Sequence, residues 1–403
     1  MRALVAGGTL IASAVGLLFG GGSAPPAAAA PHGVEVTSPQ DLGAAGGAVC
    51  PHESLCTLRR AIEVANGDAL GDTFTISFSP TVFPAGAEVE IPVGNTPLPN
   101  VSRDDVLIDG SGAGVALVGA PSSLSVVVTG LTVTGDRFAL RNVQVHRFTG
   151  NCLVVTGAFA EIGAPGGGNV FGGCATGVSA AGANARIASA VPAAKPPPPA
   201  GNTIGFADTA IFVGGGTAAE FSGVTIERNS IGRRPSGDPA PVGNGVILSQ
   251  PSKSTAVTGN AIRNAKRGIV GGTAPPSLVL RDGSACCRRA GPVKAQMPCL
   301  PRCELSNAAV EKAGNASGLP VTGNRFASNT FQAITDMAID LGADGLRNPN
   351  DPGDVDSGPN MLMNHPVITR ATQSRVTGIA CGGCNVQVYL AAHEPGGMRD
   401  YGT

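Results

Sequence analysis

The chain predicts an all-β solenoid, on three observations. In 131–178, apolar residues alternate in pieces only a few residues long, such as Leu131/Val133, Phe138/Leu140 and Val143/Val145. A piece that short buries a core only when stacked on similar pieces above and below. Asn-x-apolar corners recur at Asn169, Asn202, Asn229, Asn260 and Asn324, most of them followed by another short apolar strand. Asn suits a corner because it tolerates the left-handed region and bonds its own backbone, and stacked Asn side chains can also form a ladder. Finally, 59 glycines and 32 prolines mark many turns, while 42% hydrophobic and 14% charged residues argue against disorder.

Residues 1–30 read as a signal peptide. Arg2 is the charged start, 3–19 the apolar stretch and 27–30 the small residues, with cleavage expected after Ala29. The apolar run falls short of the ~20 residues a membrane span needs, so an anchor is disfavoured. No later stretch could span a membrane, and the expected location is extracellular or at the cell surface. Residues 31–72 form a cap in which Leu58, Ile62 and Ala65 share one helix face. Ser54 is the expected N-cap and Asn66-Gly67 the stop, with Arg59, Arg60 and Glu63 directed elsewhere. A helix laid across the end of a solenoid would cover its apolar interior and its unpaired backbone.

The segment CTLRRAIEVAN resembles the CSLREA-type motif near the start of exported bacterial right-handed parallel β-helix proteins of pectin-lyase-like fold. Cys56, Leu58, Arg59, Ala61, Ile62, Ala65 and Asn66 match; Thr57 replaces Ser, and Arg60 replaces Glu with a reversed charge. The runs at 72–78, 95–101 and 108–114 are similar to that family's next segments, and 336–369 to its last coil and exit. The resemblance implies a right-handed parallel β-helix and carries no agreed chemistry.

The β-helix is expected over 73–345, interrupted by a proline-rich loop at 189–201 and a cysteine-bearing loop at 282–317. An exit segment occupies 346–372, and 373–403 looks like the start of a β-sandwich-like module, either a fragment or strands that pair back onto the solenoid. The 10 cysteines fall in local groups, read as disulfides in an oxidising compartment. These are Cys50 with Cys56, Cys152 with Cys174, the cluster Cys286, Cys287, Cys299 and Cys303, and Cys381 with Cys384. If one coil takes as many residues as separate Cys152 from Cys174, that bond pins neighbouring rungs, since parallel strands ~4.8 Å apart lie within disulfide reach. For the cluster of four, two disulfides compete with a zinc site that adjacent cysteines suit poorly.

Function is less legible. A net charge of −1 without a basic block excludes nucleic acid as a partner class. The absence of Trp disfavours an aromatic sugar platform, although 13 Phe remain. Glycoside hydrolysis needs two facing carboxylates, and 137–330 holds few, with Asp208 and Glu227 the candidate pair across rungs. Arg228, Arg233, Arg234, Arg263, Lys266 and Arg267 could line one side and receive an acidic polymer. Arg228 and Arg267 are the basic catalytic candidates. His146 should point outward. Asp351, Asp354 and Asp356 could hold Ca²⁺ or form an Asx-turn network at the exit. No motif requires a cofactor. The expected function is a scaffold that binds extracellular polysaccharide or cell-surface components; the alternative is a polysaccharide lyase or glycoside hydrolase acting on acidic glycans.

Overall fold

The structure, a computed structural model, describes residues 32–41, 50, 55–119, 127–163, 168–188, 201–214, 223–249, 252–272, 321–372 and 374–388. Residues 1–30, read from sequence as a signal peptide, residues 189–200 of the expected proline-rich loop, and Cys286, Cys287, Cys299 and Cys303 lie outside the described residues.

The chain coils as a right-handed parallel β-helix with three faces. The first is a nine-stranded sheet running from His32–Val36 through Phe74–Phe78 and Ala139–Arg141 to Arg325–Ala327. The second and third share a 14-stranded sheet, because the long strand Ala261–Gly271 continues the second face with its first half and the third with its second. The solenoid pairings are parallel and in register.

Register explains the short alternating pieces. On the second face Ile91, Leu117, Val145, Phe171, Ile204, Ile231, Ile262 and Phe331 stand directly above one another. All eight are buried in one continuous core. Each strand contributes one or two such side chains, too few to exclude water alone, and the stack supplies the rest.

The corner between the first and second faces carries an amide ladder. Asn169 Nδ2 donates to Asn202 Oδ1 (3.0 Å), Asn202 to Asn229 (2.9 Å), Asn229 to Asn260 (3.0 Å) and Asn260 to Asn329 (3.0 Å). Each Nδ2 also donates to a carbonyl of a first-face strand, for example Asn202 to Ile162 (2.8 Å). All five side chains are buried, and the doubled bonds meet the demand that buried polar groups be satisfied. The fifth rung is Asn329, not Asn324. Asn324 turns the corner before the first face, where it accepts from the Thr255 N–H (2.9 Å) and donates to Ser252 O (3.3 Å).

The cap helix spans Leu58–Gly67 and buries Leu58, Ala61, Ile62 and Ala65 in the solenoid core. Its N-cap is Thr57, whose hydroxyl accepts from the Arg60 N–H, while Ser54 lies outside the described residues. Arg59 does not face solvent. It is buried, forks onto Asp41 (2.6 and 2.8 Å) and donates to the carbonyls of Thr96 and Pro97 (2.8 and 2.7 Å).

Disulfides join Cys50 to Cys56, Cys152 to Cys174 and Cys381 to Cys384. Cys152 lies within the strand Asn151–Val155, whereas Cys174 sits at the corner before Thr176–Ala180 on the next rung. A coil is therefore longer than the cysteine spacing, and the bond crosses between rungs diagonally with Cα atoms 5.5 Å apart. At the C-terminal end, Val367–Ala371 and Val376–Ile379 form an antiparallel hairpin, starting inside what the sequence suggested was the exit segment. Among the described residues no helix is long and apolar enough to cross a membrane.

Candidate functional site

A groove of about 1360 Å³ runs along the outside of the second face. Two rows of outward positions form its floor: Gln144, Val170 and Thr203, and beside them His146, Gly172 and Gly205. The trough exists because that second row loses its side chains after His146. Glu88 and Glu90 stand at the N-terminal end, and the loop 232–241 closes the C-terminal end over Gly205.

The two ends differ in charge. At the first, His146 Nε2 lies 3.0 Å from Glu88 Oε1, and Arg147 pairs with Glu90. Burial holds the His146 imidazole below its ordinary pKa despite the opposing pull of Glu88. At the second, Arg233 and Arg234 rise from a loop pinned by Asn264 Nδ2 on Gly232 O (2.9 Å) and by the Arg234 N–H on Asp238 O (2.9 Å). Gly232 adopts φ 81°, and a Cβ there would meet Arg263 O at 1.6 Å, so only glycine lets the loop approach this strand. Phe206, at φ 50°, presents a part-exposed ring to the groove, with the Arg234 guanidinium 4.8 Å from its centroid.

The structure does not bring the sequence candidates together. Asp208 lines the groove. Glu227 ends a first-face strand and accepts from Arg186 (2.6 Å). The second face separates the two, so Asp208 and Glu227 do not form the facing acid pair considered from sequence. Arg228 occupies a corner at φ 55° with its N–H on Thr258 O (3.2 Å). Arg267 is buried at the last rung against Asp336 (3.2 Å) and Asp340 (3.3 Å). Both basic candidates thus have places outside the groove lining.

The exit carboxylates do not converge either. Asp351 accepts from the Val355 N–H (3.0 Å), Asp354 accepts from the Asn364 N–H (2.8 Å), and Asn364 donates to Asp351 O (2.7 Å). Asp351 and Asp354 thus belong to a turn network, and Asp356 joins no metal cluster. Among the described residues no group of three or more His, Cys, Asp or Glu side chains is placed to hold a metal ion.

No protein-family model and no curated protein matches the chain. Assignment of the groove therefore rests on its own residues. His146 was legible as outward-facing from its alternation with Val143 and Val145. Glu88, Glu90 and Phe206 were not singled out by sequence; the only signal was Glu90 in alternation with Val89 and Ile91.

Proposed function

We propose that the protein is an exported β-helix scaffold of the CSLREA type that binds extracellular polysaccharide or cell-surface components along its second face. The observation that carries this reading is the groove itself: a trough several rungs long, floored by small and polar residues and ended by charged ones, a shape suited to an extended chain. The CSLREA-like cap, the leader composition and the disulfides support export.

The test is retention of the purified protein on neutral, uronate and sulfated polysaccharides and on intact cells. It is paired with an assay for unsaturated and reducing-end products, with and without Ca²⁺. Binding without products is expected, and Phe206→Ala should weaken it about 3- to 10-fold through loss of the ring face. Sustained product release would replace this reading with lyase or hydrolase activity, and failure to bind any surface would end it. Protein recovered from the medium should begin at Ala30.

A further inference from the structure

The arginines separate into two groups. Most of those partly or fully buried carry a carboxylate partner: Arg59 has Asp41, Arg103 has Asp68, Arg186 has Glu227 and Arg267 has Asp340. Arg233 and Arg263 form no ion pair with any described carboxylate, although Gly232, next to Arg233 in the chain, packs directly on the Arg263 backbone; burial, and after it the charge of Arg233, holds the Arg263 guanidinium below its ordinary pKa. Arg263 Nε donates only to the neutral amide of Gln332 (3.0 Å), and Arg233 Nε is buried with no hydrogen-bond partner. Asp238, the carboxylate of the same loop, accepts instead from Ser236 Oγ (2.8 Å).

A guanidinium cannot shed its charge near neutral pH. Two of them, part-desolvated and side by side, destabilise the protein until something negative joins them. Glycine at 232 and the pinned loop hold them in that arrangement without ligand, so the unfavourable geometry is built in.

We propose that Arg233 and Arg263, with Arg234 at the rim, form an oxyanion site beside the C-terminal end of the groove, where the loop 232–241 meets the strand Ala261–Gly271. It would take a sulfate, phosphate or carboxylate group, with the remainder of the ligand running past Phe206. Guanidinium forks match such oxygens geometrically. The site deepens the proposed groove function only in naming the charge of the ligand; the anion site itself can be tested alone.

Thermal melting is followed with sodium sulfate against sodium chloride at equal ionic strength, for wild type, Arg233→Gln, Arg263→Gln and the remote exposed Arg370→Gln. Sulfate should raise the melting temperature of wild type and Arg370→Gln by about 2–4 °C. It should not move Arg233→Gln or Arg263→Gln, and Arg233→Gln without sulfate should melt no lower than wild type. Calorimetry then compares heparin, polygalacturonate and dextran. Whichever anionic polymer binds should lose at least about tenfold in affinity in Arg233→Gln, one charged contact's worth, and this identifies sulfate or carboxylate as the natural group. Equal sulfate responses in all four proteins, or none in wild type, would overturn the site. Sulfate held through Arg233 while every polymer fails to bind would end the polysaccharide reading and leave the anion site standing.

Discussion

The two ends of the solenoid use the same ion pair to opposite effect. At the N-terminal end Arg59 grips both oxygens of Asp41, and its remaining donors reach two carbonyls. The hydrogen bond to Asp41 outweighs burial and holds the Arg59 pKa above its ordinary value. At the C-terminal end Arg267 reaches Asp336, Asp340 and the Ala343 carbonyl, yet Asp340, with no exposed surface, keeps one oxygen without a partner. Burial there outweighs Arg267 and pushes the Asp340 carboxyl above its ordinary pKa. A buried pair favours the charged form only when every lone pair is met. The cap also lays an apolar helix face on the core, whereas the exit ends in a hairpin with its side chains largely in water.

The contrast predicts unequal damage. Arg59→Met leaves Asp41 buried without a counter-charge and should cost about 3–5 kcal/mol in urea unfolding. Ile62→Ala removes a buried side chain from the same lid and should cost about 2–5 kcal/mol. If either loss is under about 1 kcal/mol, the lid is not what stabilises that end.

The apolar face of the N-terminal lid was readable in the sequence, and the ion pairs at the two ends were not. Leu58, Ile62 and Ala65 fix a helix face by local spacing alone. The burial of Arg59 depends on Asp41, which precedes the helix, and on carbonyls 37 and 38 positions beyond it. The Asn corners were legible for four rungs. At the fifth, Asn324-Arg-Phe and Asn329-Thr-Phe carry the same pattern, and only strand pairing across a long sequence separation decides which one continues the ladder. The groove was least legible, because His146 and Glu88 meet across 58 positions and an empty trough is made by glycines whose neighbours lie on other rungs.

Arg267→Met should be milder than Arg59→Met, about 1–3 kcal/mol at neutral pH, because the carboxylate it abandons can take a proton. The sign follows from the raised folded-state pKa of Asp340. Its contribution is fully present below the unfolded value of 3.8 and is lost as pH rises through the folded value. Without Arg267 that folded value rises further, so acidification from pH 7 should recover part of the variant's loss. Asp340→Asn should flatten the wild-type dependence in the same range. A variant equally weak at every pH would show that Arg267 acts by packing.

The smallest effect is expected in the hairpin Val367–Ala371 and Val376–Ile379. Ile368 and Ile379 are 61% and 69% exposed, so replacing either by Thr removes little buried surface and should change global stability by less than about 0.5 kcal/mol. A two-stranded hairpin without a covered face is marginal in water. Its amides should therefore exchange with solvent orders of magnitude faster than those of Gln144–His146, whose opening requires neighbouring rungs to part. Two polar contacts reach the solenoid from beyond it, Gln387 Nε2 donating to Phe326 O (2.9 Å) and the Ser328 N–H donating to Gln387 Oε1 (2.9 Å); they tether the following segment without shielding the hairpin's apolar side chains. Slow exchange at Ile368 and Gly378, which face each other in the pairing, would mean that these side chains are covered in solution. The C-terminal end would then be closed by apolar burial, as the N-terminal end is, and the difference between the ends would reduce to Asp340.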